Sequence, residues 1–163
     1  MSLQLESDIP KVIRQEELLV FRSFDESDAW KLGCAIRDEA AKYDAGLVID
    51  IRSGNQILFS SFMPGATLEN INWVRKKINL VEILKTSSYL IGLEVKFGNG
   101  AEKIKGLSDV DYAWHGGCFP IRLVTGEVVA LVTVSGLPQR EDHKLVTDVI
   151  ANYLGVDLGE NAI

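Results

Sequence analysis

The sequence predicts an α+β domain, an antiparallel sheet of about five strands flanked by helices, and three observations carry that prediction. Two hairpin patterns stand far apart, at residues 47–62 and 119–134, each a pair of branched, largely alternating runs around a Gly-containing turn. The compact apolar run Leu18-Leu19-Val20-Phe21 supplies a fifth strand. Helical patterns come before, between and after these strands, without the strict alternation that a parallel βαβ sheet requires.

Taken in order, residues 9–17 read as a short helix around Pro10. Asp25 is a good N-cap, Glu26 and Asp28 suit the positive end of a helix dipole, and Ala29, Leu32, Ile36, Ala40 and Tyr43 recur at helical spacing. That helix ends near Asp44-Ala45-Gly46. Ser53-Gly54-Asn55 turns the first hairpin, and Pro64-Gly65 ends it. Thr67 then caps a long helix with Asn70 at N3. Its buried side is read as Ile71, Val74, Ile78, Val81 and Leu84, which leaves Trp73, Arg75, Lys76, Lys77 and Asn79 around the rest. Thr86-Ser87-Ser88 opens a shorter helix through Tyr89, Leu90, Leu93 and Val95, and Gly98-Asn99-Gly100 stops it. Residues 101–106 are polar and expected to be exposed. Residues 108–112 form a capped turn that leads to the corner His115-Gly116-Gly117, and Thr125-Gly126 turns the second hairpin. Residues 139–154 close the chain as an amphipathic helix. One domain is expected over 1–163, its core at about 18–155, with the short first helix and the C-terminal tail flanking it.

A formal net charge of −6 argues against nucleic acid or anionic membrane as partner, because both are bound through basic surfaces. No stretch approaches the roughly 20 apolar residues of a bilayer span, so a cytoplasmic location is expected. Cys34 and Cys118 have neither metal spacing nor a second pair, and reduced thiols are expected.

The chemistry concentrates in residues 111–143, which hold both histidines. His115, before Gly116-Gly117, has the pKa range of a general base and the donor of an iron or metal ligand; the alternative is a histidine that fixes the corner through backbone hydrogen bonds. Gly116-Gly117 suits positive φ, close backbone approach or an anion-binding nest, and fits neither a dinucleotide fingerprint nor a Walker loop. His143 follows Glu141 and Asp142, acids that complement a helix start and leave the histidine exposed. No metal quartet is present; the weaker set is His115, Asp142 and His143. Cys118 pairs on paper with either histidine, or is an ordinary half-buried strand residue. Gly-x-Ser-x-Gly is absent.

Trp73 beside Arg75, Lys76 and Lys77 offers an aromatic and cations for a carboxylate-bearing ligand or a subunit contact, or a solvated helix face. The ligand-binding reading thus gathers Trp73, Lys77, Tyr89, His115, Gly116 and Gly117 around one pocket for a haem or a small anion. Tyr89, Tyr112, Trp30 and Trp114 are also read economically as core or interface aromatics.

Asp111-Tyr112-Ala113-x-His115-Gly116-Gly117-x-x-Pro120-Ile121, with Val132-Thr133-Val134-Ser135-Gly136-Leu137-Pro138-Gln139-x-Glu141-Asp142-His143, resembles the haem-degrading-domain family, and looks most like its uncharacterised branch. Asn72-Trp73-Val74-Arg75-Lys76-Lys77 and Ser87-Ser88-Tyr89 agree with that branch. The resemblance covers about residues 24–154. It implies a profilin-like α-β-α sandwich with a five-stranded antiparallel sheet, and homo-oligomers that are often dimers assembled into rings or shells. It further implies haem or iron binding in some members, linked to haem breakdown or redox sensing. Other members sit beside glycolate metabolism genes, and this branch includes members with no established activity. The family commonly has Pro-x-Gly-Gly at the corner; here His115 stands before Gly116-Gly117. Relatives generally carry a small residue at position 118.

Three functions follow as expectations. The first is a homo-oligomeric binding protein for haem or a small anion. The second is an enzyme of haem or small-molecule breakdown that uses His115 as iron ligand or acid/base. The third is an assembly element without a small-molecule ligand.

Overall fold

The computed structural model describes residues 2–163. Five strands form one sheet: β1 (Val20–Phe21), β2 (Val48–Ser53), β3 (Gln56–Phe62), β4 (Cys118–Leu123) and β5 (Val128–Ser135), in the order β1-β4-β5-β2-β3. Five helices surround it: α1 (Ser2–Leu18), α2 (Glu26–Ala40), α3 (Leu68–Leu84), α4 (Ser88–Phe97) and α5 (Gln139–Leu154). The α+β class with a five-stranded sheet between helices is as the sequence predicts. Both hairpins form, and β2 and β5 join them antiparallel at the centre of the sheet.

Three details depart from expectation, the smallest being that Ile71 of α3 is exposed rather than buried. β1 pairs with β4 in parallel, through Val20↔Arg122 and Phe21↔Leu123, so the sheet is antiparallel except at this short edge. The first helix begins at Ser2 and continues through Pro10, well before residue 9.

The pleat sorts side chains to the two faces. Ile49, Ile51, Phe119, Ile121, Val132 and Val134 belong to the main core together with apolar residues of α2 and α5. Val48, Cys118 and Leu131 point to the other face, where Val74, Ile78 and Val81 of α3 cover them. Helix starts follow the predicted caps: Asp25 and Thr67 each make a reciprocal capping box, with Asp28 and Asn70.

Helix α1 belongs to the core more fully than its flanking position suggests. Its buried Asp8 accepts the Tyr89 hydroxyl at 2.8 Å and two Arg140 donors at 2.7 and 3.1 Å. Gln15 donates to the Asn161 carbonyl at 2.7 Å and meets His143 Nε2 at 2.9 Å. One helix therefore ties α4, α5 and the C-terminal turn together. Tyr89→Phe removes one hydrogen bond of this network and leaves Arg140 on Asp8; a loss of about 1 kcal/mol in urea unfolding is expected.

Candidate functional site

The corner at residues 113–117 is built on α3. Ala113 N–H donates to the Lys76 carbonyl at 3.2 Å, and Asn79 Nδ2 to the Asp111 carbonyl at 2.9 Å. Arg75 reaches Asp111 Oδ1 at 2.9 Å and the Val110 carbonyl at 3.0 Å. Lys76 lies over the Trp73 ring, 5.2 Å from its centre. Part of the basic cluster thus holds the loop that carries His115.

Gly116 and Gly117 are there for two different reasons. Gly116 donates its N–H to Gln139 Oε1 at 3.2 Å, and a Cβ on it would overlap the Gln139 carbonyl oxygen. Gly117 has φ +128°, and a Cβ on it would overlap the Val134 carbonyl oxygen and lie 2.7 Å from Lys77 Nζ. Its own carbonyl accepts Val134 N–H at 2.9 Å. The double glycine lets the corner lie directly on β5 and on the start of α5.

Lys77 lies deeper than the helix pattern predicts. It is only 3% exposed, turned inward beside Val74, Ile78 and Val81, where the sequence offers either a pocket-lining cation or a solvated helix face. Nζ donates to the Val134 carbonyl at 3.1 Å and to Asp142 Oδ2 at 3.0 Å. Asp142, 2% exposed, also accepts Leu137 N–H on Oδ1 at 2.9 Å. Burial pushes the Asp142 carboxyl up to about 6, outweighing the downward pull of Lys77 and of its hydrogen bonds.

Above this pair opens a cleft of about 290 Å³, whose walls include Glu69 and Trp73 of α3, His115, Ser135 and Gln139, with Lys77 and Asp142 also lining it. The His115 ring meets Trp73 edge to face, with centres 5.0 Å apart. Burial, then Lys77 and Lys76, lower the His115 pKa, so the imidazole is neutral near pH 7. The arrangement offers a buried cation with its counter-anion, a neutral imidazole, an indole and a hydroxyl. Two of the three Lys77 N–H groups are taken by the Val134 carbonyl and Asp142, and the third has no protein acceptor among the described residues.

Of the residues expected to share a pocket, Trp73, Lys77 and His115 line the cleft, and Gly116-Gly117 shapes its back. Tyr89 stands behind that corner: it is fully buried, its hydroxyl is captured by Asp8, and its ring would be 3.1 Å from a Cβ on Gly116.

His143 does not meet His115 at the cleft. It is wholly buried, where exposure was expected, because its ring packs between Tyr89 and Phe119, centres 4.9 and 5.9 Å away. Burial pushes its pKa down to about 3, and Nδ1 has no hydrogen-bond partner. The His115, Asp142, His143 set is therefore divided. Among the described residues no three His, Cys, Asp or Glu side chains are grouped to hold a metal. Cys118 is wholly buried and its thiol is pushed up to about 12 by that burial; Ser88 Oγ accepts its N–H at 3.0 Å.

The sequence model described as "Haem degrading protein HbpS-like" matches residues 24–151, which include the corner, the cleft and the whole sheet except β1. The chain belongs to the HbpS-like family. Within that family it is 47% identical to a UPF0303 protein of Acidobacterium capsulatum over 156 residues, 95% of this chain and 94% of that one. A UPF0303 protein of Azotobacter vinelandii is 41% identical over 99% of this chain and 98% of its own length. Among solved structures, the Ybr137w protein superposes with a TM-score of 0.82 at 26% identity, over 90% of this chain and 87% of that one. A PduOC:heme complex superposes at 0.66 with 18% identity, over 79% of this chain and 94% of that one, and shows the fold shared.

The cleft is also lined by residues that the sequence alone does not single out, chiefly Glu69, Ser135 and Gln139. In the sequence Asp142 reads only as a weak metal candidate and as an acid that complements the helix dipole. Its hydrogen bond to Leu137 N–H, five residues earlier, leaves no periodic signal. For Lys77 a signal was present: it lies three residues after Val74 and four before Val81, on the apolar stripe.

Among the described residues no helix is long and apolar enough to cross a membrane.

Proposed function

We propose that this chain is a cytoplasmic, homo-oligomeric ligand-binding protein whose ligand seat is the cleft between α3, the His115 corner and the start of α5. The observation that carries this reading is the buried Lys77 at the cleft floor, with one N–H uncommitted beneath Trp73 and His115. A small anion is the ligand class this supports. The volume of about 290 Å³ lies at the lower limit of the ~300–1,000 Å³ typical of small-molecule sites. Exposed Trp30, Ile57 and Phe62 provide apolar surface for the contact between copies.

Haem is the second reading, favoured by family membership and by the neutral imidazole of His115, which would supply a nitrogen donor to the iron. The donor fits; the volume does not enclose a porphyrin within one chain. Haemin titration separates the two ligands: haem binding predicts a Soret shift that His115→Ala abolishes, and no shift in the wild-type protein removes haem. Light scattering tests the assembly, with a mass above 18.0 kDa expected.

A further inference from the structure

We propose that Asp142 is a resident counter-anion operated by a proton: a small carboxylate enters onto Lys77 together with one proton, which Asp142 takes up. This deepens the small-anion reading of the cleft and rests on it.

Lys77 and Asp142 are 3% and 2% exposed, bonded at 3.0 Å, and both line the cleft. A ligand carboxylate on the free Lys77 N–H would place two carboxylates around one cation in a nearly dry site. Two anions so close do not both stay ionised; a single shared proton removes the repulsion. Asp142 suits this part because burial already raises its pKa to about 6, while its Oδ1 stays on Leu137 N–H. Solvent supplies the proton, the only bond formed is the O–H of Asp142, and the bound state carries the charge of the free protein.

Other titratable groups around the cleft do not take this role. Glu69 is exposed at the first turn of α3, and His115, exposed on one side, is disfavoured as a cation by partial desolvation and by Lys77 and Lys76. The Cys118 thiol on the sheet is already protonated, and Asp50 beside it is closed by Arg52 at 2.6 and 2.7 Å. Arg140 on α5 is turned to Asp8.

Isothermal titration with acetate from about pH 5.5 to about pH 8, in two buffers of different ionisation enthalpy, tests the proposal. Wild-type affinity is expected to fall about tenfold per pH unit toward the upper end, with close to one proton taken up per acetate. D142N, with folding checked by circular dichroism, should bind with pH-independent affinity, without proton uptake, and more tightly than wild type at pH 8. H115Q should keep the uptake even where it binds more weakly, and this holds if D142N does not fold. Acetate binding without proton uptake, or uptake lost in H115Q, overturns the role of Asp142 and leaves the ligand seat standing. No acetate binding at any pH, by wild type or D142N, overturns the carboxylate seat itself and the proposal with it.

Discussion

Lys77→Met is expected to lower the unfolding free energy by about 3–5 kcal/mol at pH 8, because it leaves Asp142 buried without its cation. The loss should shrink on acidification. Asp142 titrates near 3.8 when unfolded and about 6 in the intact fold, and removing Lys77 takes away a downward influence, so the folded value rises further. Between the two values the folded state holds a proton that the unfolded state releases, so stability falls as pH rises through that window. The penalty is complete above the folded pKa and absent below the unfolded one. Urea unfolding at pH 8 and pH 5 measures the difference, and the double variant Lys77→Met, Asp142→Leu should recover most of the loss. Equal losses at both pH values would show that Asp142 is not the group left stranded.

Gly117→Ala is the second large effect. The backbone there, at φ +128°, is one that L side chains rarely adopt, and the new Cβ would meet the Val134 carbonyl and Lys77 Nζ at once. A destabilisation of about 2–4 kcal/mol is expected from strain and overpacking together. Because the same carbonyl accepts Lys77, acetate affinity should fall at least about tenfold under conditions where the variant remains folded. A variant that folds less stably yet binds acetate as wild type does would separate the corner from the ligand seat.

The fold could be read from local patterns because its elements announce themselves locally. Asp25 with Asp28 and Thr67 with Asn70 are capping boxes within four residues, and each hairpin alternates over a short span. β1 shows the limit: its two residues pair with a strand about a hundred positions away, and nothing nearby in the chain fixes that direction. The site was read less completely for the same reason. Trp73, Lys77, His115 and the double glycine stand out as residue types for a pocket, but the inward turn of Lys77 depends on a counter-anion 65 positions later. Its place on the Val74, Val81 stripe was the available clue. His143 repeats the lesson: it lies three residues before the buried Val146, a core position, and the acids before it drew attention to the helix dipole. Tyr89 was drawn into the pocket by its motif, whereas Asp8 of α1, 81 positions earlier, holds it behind the corner.

The cleft as ligand seat is tested by amide chemical-shift mapping of the ¹⁵N-labelled protein during acetate titration near pH 6. Saturable shifts are predicted at Trp73, Lys77, His115, Gly116, Gly117 and Leu137, with the indole N–H of Trp73 moving while those of Trp30 and Trp114 stay. Shifts centred instead on the larger groove of about 480 Å³ beside Glu16, Leu90 and Arg122, or no saturable shifts at all, would contradict it.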